Sequence, residues 1–198
     1  MAATVIRYDD HTLVPWKNGQ GVTREIAVAR DGSGFLWRLS IASVDRTGPF
    51  SDFSGYDRVI MLLEGDGLIL DFGAHGRAVM AQPFVPQRFD GDWATHATLL
   101  GGPLTDFNVM TARDGASADV AVMKANAQGI SMVHATTVTF FHVLAGSWDM
   151  TGYSLDTTLD EGDCLHVDDE PWEGRAIARS PDARLYRVAI TVRPPPGQ

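Results

Sequence analysis

Short stretches of alternating apolar and polar residues, separated by glycine- and proline-rich turns, run along most of this chain. The stretch 35–44, FLWRLSIASV, alternates most clearly and has the pattern of a half-buried strand, with Trp37 and Leu39 on its apolar face. Further strands are predicted at 4–8, 23–28, 58–63, 68–72, 78–81, 96–100 and 106–112. The stretch 83–93, which contains two prolines, is predicted to be a bend and loop. Short strands at this spacing predict an all-β sandwich or barrel.

The second half of the chain repeats the first at an offset of about 80 residues. Segment 58–72 aligns with 139–153, which matches Gly65 with Gly146, and Trp93 matches Trp172 further on. The turn and strand LDEGDCLHV at 159–167 are typical of a jelly-roll hairpin. We therefore predict two tandem cupin-like jelly-roll barrels, a bicupin, although another β-sandwich with hairpins of similar length would give a comparable pattern. The predicted barrels span 1–113 and 114–198, and the N-terminal strand can pair with either.

The two copies differ in the polarity of one strand face. In the first copy, Arg58 and Glu64 have the same strand parity, and Asp106 shares a face with Asn108 and Met110 on a later strand. The second copy is predicted to place apolar residues there, together with one histidine, at Phe140, His142 and Leu144. A pocket is therefore expected in the first barrel, and the second barrel is expected to have the more apolar interior. Glu64 is expected to pair with Arg58, or to form an acid/base pair with Asp106.

The loop and strand start at 16–25, WKNGQGVTRE, combine aromatic, amide, hydroxyl and charged groups in ten positions. Gly19 and Gly21 allow positive φ and close approach of other groups to the backbone. This stretch is expected to form one wall of the pocket. The alternative is a glycine turn that leads into an edge strand.

Composition and charge argue against several classes of protein. The net charge is −9 and the cations are scattered, which argues against a nucleic-acid partner. No apolar run approaches the length of a membrane span, and the N-terminus lacks a signal-peptide core, so a cytoplasmic protein is expected. The single cysteine, Cys164, excludes an internal disulfide framework. None of the six histidines lie two residues apart, so the His-x-His pair of metal-binding cupins is missing, and no metal or other cofactor is expected.

Four blocks of the sequence resemble the signature blocks of the HutD/Ves family, in that family's order and over roughly the first two-thirds of the chain. These blocks are WKNGQGVTREI (16–26), FSGYDRVIMLLEGDG (53–67), QRFDGDW (87–93) and DFNVMTAR (106–113). The resemblance implies a bicupin without the usual metal-binding histidines. It also implies an association with bacterial histidine utilisation and a regulatory or accessory role.

The resemblance further implies a set of pocket-lining residues in the first barrel. They are Trp16, Asn18, Thr23, Arg24, Arg58, Phe89, Asn108 and Met110. Arg24 or Arg58 would hold the carboxylate of a small metabolite such as N-formylglutamate or urocanate, because the planar guanidinium suits bidentate contact. One alternative is a metal-independent isomerase or hydrolase of the same metabolites that uses Glu64 or Asp106. Another is a protein-interaction module. A protein partner or a homodimer is compatible with each of these three functions.

Overall fold

The computed structural model describes residues 3–16, 21–32, 34–134, 138–152, 155–168 and 171–194. Within these ranges the chain forms nineteen strands and two short 3₁₀ turns, at Tyr8–Asp10 and Gly73–His75. The strands of the first half are β1 (Ala3–Ile6), β2 (Thr12–Pro15), β3 (Val22–Asp31), β4 (Gly34–Val44), β5 (Gly48–Pro49), β6 (Tyr56–Glu64), β7 (Leu68–Asp71), β8 (Arg77–Met80), β9 (Gln87–Asp90), β10 (His96–Leu99) and β11 (Leu104–Ala112). The strands of the second half are β12 (Ala116–Lys124), β13 (Ile130–His134), β14 (Val138–Ala145), β15 (Trp148–Gly152), β16 (Leu155–Leu159), β17 (Cys164–Asp168), β18 (Trp172–Ala178) and β19 (Arg184–Val192). A helix long and apolar enough to cross a membrane is not found in these ranges.

The strands belong to two compact units. The first unit contains Thr12–Ser117 and the chain from Arg193 on, and the second contains the residues up to His11 together with Ala118–Val192. The predicted boundary between 113 and 114 therefore differs from the division observed after Ser117. The N-terminal strand β1 pairs with β17, so it belongs to the second unit, one of the two options that the sequence left open.

The first unit is a sandwich of two sheets. One sheet has six strands in the order β2-β3-β4-β11-β6-β9, and the other has four in the order β5-β10-β7-β8. Apolar side chains from both sheets form one core between them, with Ile60 and Leu62 from β6 and Leu68 and Leu70 from β7 fully buried. The face of β6 that carries Ile60 and Leu62 is therefore the inner face of the six-stranded sheet.

The second unit repeats this arrangement. Its sheets have the strand orders β1-β17-β14-β19-β12 and β13-β18-β15-β16. Its core is built around Phe141, Val143, Trp148 and Trp172, which are 0–2% exposed. Both units thus have the two-sheet jelly-roll architecture, and the predicted all-β bicupin fold is confirmed.

The register of the central strands shows the repeat directly. In the first unit Ile60 lies opposite Asn108, and in the second Phe141 lies opposite Arg187. Each pairing also contains a register shift at the same point, beside Glu64 in β6 and beside Ala145 in β14. A bulge inserts one extra residue into a strand, so it reverses the side-chain parity beyond it.

Two predictions about individual segments were wrong. Residues 83–93 are not all loop, because Gln87–Asp90 forms β9 and pairs with β6. In β14, Phe141 belongs to the core cluster. Phe140 and His142, its neighbours along the strand, therefore lie on the opposite face of the sheet, where both are also buried.

Candidate functional site

A row of polar side chains lies on the inner face of the first unit's six-stranded sheet. Arg58 has the same parity as Ile60 in β6, and Met110 of β11 lies directly opposite Arg58. Asn108 and Asp106 follow on the same face of β11. All four side chains named in this row, Arg58, Met110, Asn108 and Asp106, are at most 5% exposed. Polar groups buried this deeply need hydrogen-bond partners, so the partners show what the row can do.

Arg58 is a buried cation surrounded by aromatic rings. Its guanidinium carbon lies 4.8 Å from the ring centre of Phe89, 5.1 Å from that of Phe53 and 5.4 Å from that of Phe50. Burial lowers the pKa of Arg58 to about 10, and the nearby Asp106 carboxyl opposes that shift. The side chain therefore remains a cation at neutral pH, favoured by the ring faces.

One N–H group of Arg58 lacks a hydrogen-bond acceptor among the described residues. Its Nη2 donates to Oδ1 of Asn108 at 2.7 Å. Its Nε is buried and has no hydrogen-bond partner among the described residues. A buried N–H of a charged group that lacks an acceptor is costly, and an anionic ligand would supply one.

Asp106 completes a chain of three polar side chains. Nδ2 of Asn108 donates to its Oδ1. Its Oδ2 is buried and has no partner among the described residues. Burial raises the pKa of Asp106 to about 7, while the Arg58 charge and the Asn108 hydrogen bond act in the other direction. Because the Asn108 amide donates to Asp106, its oxygen is left to face Arg58.

An ion pair lies on the neighbouring strands of the same sheet face. Arg38 of β4 lies opposite Met110, and its Nε donates to Oε2 of Glu25 at 2.8 Å. The charge of Arg38 also lowers the pKa of Arg58. Glu25 ends the stretch predicted to form a wall of the pocket, but it was not named as a site residue, and Arg38 and the rings of Phe50 and Phe53 were not predicted at all. The alternation of β4 contained the signal for Arg38, but a half-buried strand pattern does not show which way its polar face turns.

The other sequence-predicted residues are placed as follows. Nε1 of Trp16 donates to Oγ1 of Thr23 at 2.8 Å, and the Trp16 ring packs against the first unit's core. Gly21 approaches this ring so closely that an added Cβ would lie 3.0 Å from it and from the carbonyl oxygen of Ser43. Phe89 of β9 lies directly opposite Arg58. Asn18, the remaining member of the predicted loop, lies outside the described residues.

Two charged residues lie away from the row, contrary to the sequence prediction. Arg24 lies opposite Ile41 in β4, one residue from Thr23, which places it on the other face of the sheet from Arg58. Glu64 is exposed at the end of β6, beyond the bulge, and forms no ion pair among the described residues. The carboxyl group that acts electrostatically on Arg58 is that of Asp106 and not that of Glu64.

A surface cleft of about 380 Å³ is also present in the first unit, lined by Pro49–Asp52 and Asp92–His96. Phe50 lines this cleft and also contacts the Arg58 guanidinium. None of the four row residues lines the cleft, and Phe50 is the residue that the cleft shares with the surroundings of Arg58. In the described ranges, no group of three or more His, Cys, Asp or Glu side chains is arranged to hold a metal ion.

Taken together, the fold and this site define a class of protein: a bicupin whose first unit has a polar, cationic interior. The chain belongs to the HutD family, whose model matches residues 8–183. It is 38% identical to protein Ves of Citrobacter koseri over 186 residues, which cover 90% of this chain and 89% of that protein. It is also 42% identical, over 113 residues, to an uncharacterized protein in the hutC 3′ region of Pseudomonas putida. That second match covers 54% of this chain and only 57% of its relative.

Solved structures with the same fold include a member of this family. HutD from Pseudomonas fluorescens, solved in a formate condition, superposes with a TM-score of 0.83 and 28% identity, covering 98% of this chain and all of that one. A cupin 2 conserved barrel domain protein from Leptotrichia buccalis superposes with a TM-score of 0.60 at 10% identity, with 98% of each chain covered. The second likeness shows the cupin fold alone.

Proposed function

We propose that this protein is an accessory or regulatory protein of histidine utilisation that binds a small carboxylate inside its first unit. The observation that supports this most is Arg58: a buried cation, ringed by aromatic side chains, with an Nε that lacks an acceptor. A buried arginine whose polar partners are incomplete is the residue type that recognises carboxylates.

The surrounding groups fit a ligand with one anionic end. A carboxylate oxygen accepts from Nε of Arg58, and the amide of Asn108 is fixed beside it by Asp106. The phenylalanine rings remove water from the contact, which strengthens it. In this proposal Thr23 and Trp16 form the wall at the β3 end of the face, and Arg24 is outside the site because of its position on the opposite face.

The choice of metabolite rests on the family. Its association with histidine utilisation suggests N-formylglutamate and urocanate, and the Pseudomonas putida relative is named for its position beside hutC. Both candidates are small carboxylates, and the cleft beside Phe50 provides about 380 Å³ for the rest of such a molecule. Ligand sites of small metabolites are of this size.

Calorimetry with a matched pair of arginine variants tests the proposal. N-formylglutamate, urocanate and formate are titrated into the wild type, Arg58→Met and Arg24→Met. Loss of a desolvated arginine–carboxylate contact costs about 2–5 kcal/mol, so Arg58→Met should weaken binding roughly 30-fold or more. Arg24→Met should bind like the wild type. If the folded wild type binds none of the three carboxylates, the proposed function is wrong.

A metal-independent enzyme acting on the same metabolites is the second candidate, and Asp106 is the observation that favours it. A carboxyl group with a pKa of about 7 is suited to general base catalysis at neutral pH. Incubation of each metabolite, followed by mass spectrometry, distinguishes the two candidates. Turnover that disappears in Asp106→Asn would favour the enzyme, whereas binding without turnover favours the binding protein.

A further inference from the structure

We infer that the binding of an anion beside Arg58 is coupled to the uptake of one proton by Asp106, so that Asp106 sets the pH range in which the site accepts carboxylates. This inference rests on the proposed function and adds a residue that controls selectivity for charge. It follows from the arrangement of Arg58, Asn108 and Asp106 and from the charges around them.

Two hydrogen bonds join the three side chains in a row. Nη2 of Arg58 donates to Oδ1 of Asn108, and Nδ2 of Asn108 donates to Oδ1 of Asp106. A single neutral amide thus separates the cation from the carboxyl group. Asp106 is 1% exposed and its Oδ2 has no partner among the described residues, so this oxygen can carry a proton without losing a hydrogen bond.

The inner face carries charges of both signs. Among the described residues four charged groups lie there: Arg58 on β6, Arg38 on β4, Glu25 on β3 and Asp106 on β11. Tyr56 lies at the end of the same face of β6, with its hydroxyl accepting from the backbone N–H of Phe35. The facing sheet contributes apolar core residues, among them Leu68, Leu70, Met80 and Ala97.

Glu25 pairs with Arg38 at 2.8 Å and also with the exposed Arg30 at 3.4 Å, so its charge is already used by these two arginines. The charge of Arg58 is therefore balanced either by ionised Asp106 or by a ligand. If a carboxylate enters while Asp106 is ionised, two anions share one buried cation. Like charges in a buried site cannot both remain ionised at little cost, so one of them takes a proton.

The proton is expected on Asp106 and not on the ligand. Burial raises the pKa of Asp106 to about 7 even though the Arg58 charge and the Asn108 hydrogen bond oppose it, and an anion that takes up the Arg58 charge raises it further. The ligand carboxylate instead accepts hydrogen bonds from a cation, which favours its ionised form. Once protonated, Oδ2 of Asp106 becomes a donor and a ligand oxygen can serve as its acceptor.

Calorimetry across pH tests the coupling. Formate and N-formylglutamate, which stay ionised throughout, are titrated from about pH 5.5 to about pH 8.5 in two buffers with different ionisation enthalpies. The variants are Asp106→Asn, which keeps the acceptor for Asn108, and Asp71→Asn, an exposed carboxyl of the same unit, as the matched control.

The wild type and Asp71→Asn should take up one proton per bound ligand above about pH 7, and their affinity should fall about tenfold per pH unit there. Asp106→Asn should show neither effect. Binding that is independent of pH, with no proton uptake, would overturn the coupling and leave the proposed function intact. Failure of every probe to bind at every pH would overturn the proposed function and the coupling with it.

A measurement on the wild type alone guards against a variant that folds poorly. Carbon-13 NMR of the aspartate carboxyl groups follows the titration of Asp106 without and with saturating formate. Its titration should move to higher pH when formate is present. A complex in which Asp106 stays ionised down to about pH 5 would overturn the inference.

Discussion

The interiors of the two units differ at equivalent positions of the same framework. Arg58 and Asp106 in the first unit correspond, by strand register, to Thr139 and Leu185 in the second. Leu185 and the other core residues of the second unit form a continuous apolar cluster. In the first unit the equivalent row carries a cation, an amide and a carboxyl group.

This difference indicates that the interior of the second unit stabilises the fold, whereas that of the first unit is suited to a function. Burying a charged group costs free energy even when it is partly paired, whereas burying apolar surface stabilises the fold. The second unit has two polar residues in the comparable row. Thr139 stands in place of Arg58, and Arg187, in place of Asn108, forms an ion pair with Asp119 of β12. The first unit leaves Nε of Arg58 and Oδ2 of Asp106 without partners among the described residues, which is the arrangement expected of a ligand site.

The largest expected effect is on the apolar interior. Phe141→Ala removes a side chain that is 0% exposed from the middle of the second unit's core, and it should cost about 3–5 kcal/mol. Thermal and urea unfolding measure the loss. Val133→Ala, at a side chain that is 52% exposed, is the control and should change stability by no more than about 0.5 kcal/mol. Similar losses for the two variants would contradict the assignment of the core.

The pH dependence of stability should have opposite signs at the buried ionisable groups of the two units. Burial lowers the pKa of His142 to about 3, with the charge of His11 adding to the effect and that of Asp163 opposing it. Below about pH 6.5 the unfolded chain then binds a proton at His142, and the folded chain does not. The stability contributed by neutral His142 is complete above about pH 6.5 and is lost as the pH falls toward about 3.

Asp106 has the reverse dependence, because its pKa is raised to about 7 when the chain is folded. The folded chain holds a proton that the unfolded chain releases, so stability falls as the pH rises from about 4 to about 7. Each effect is on the order of 5 kcal/mol at most. The free energy of unfolding, measured with urea from about pH 4 to about pH 8, should depend less on pH in the acid range for His142→Gln than for the wild type. For Asp106→Asn it should depend less on pH as neutral pH is approached. Identical curves for the wild type and both variants would contradict these assignments.

Replacing the polar row with apolar residues should give the first unit an interior without buried charges. The triple variant Arg58→Met, Asp106→Leu and Asn108→Met removes the charges and the amide together, so no partner is left unpaired. Such replacements of buried polar groups are neutral or stabilise by about 1–4 kcal/mol. We expect a higher melting temperature together with complete loss of carboxylate binding. A triple variant that unfolds more easily would show that the row stabilises the fold and has no need of a ligand.

The sequence predicted the architecture well because its signals are local and repeated. Alternation, turns and the offset near 80 residues were enough for the two tandem barrels, and the parity of Asp106, Asn108 and Met110 was correct. The prediction failed where pairing across strands decides the outcome. A bulge after Leu62 turned Glu64 to solvent, and the register of β3 on β4 placed Arg24 on the opposite face. Neither feature follows from the spacing of residues along one strand.

The turns that follow the two bulges provide the finest test of the repeat. Gly65 has φ of +106° and Gly146 has φ of +70°, so both lie in the region that favours glycine. A Cβ on Gly65 would lie 2.7 Å from Cβ of Leu104, a buried residue. On Gly146 it would lie 2.8 Å from Oγ of Ser180, which can rotate away, and 3.1 Å from Cβ of Ala183, which is a milder clash. Gly146→Ala should therefore cost about 1 kcal/mol and Gly65→Ala about 2 kcal/mol. The midpoints of urea unfolding show which variant loses more stability. A larger loss for Gly146→Ala than for Gly65→Ala would contradict the prediction from the backbone angles and the contacts.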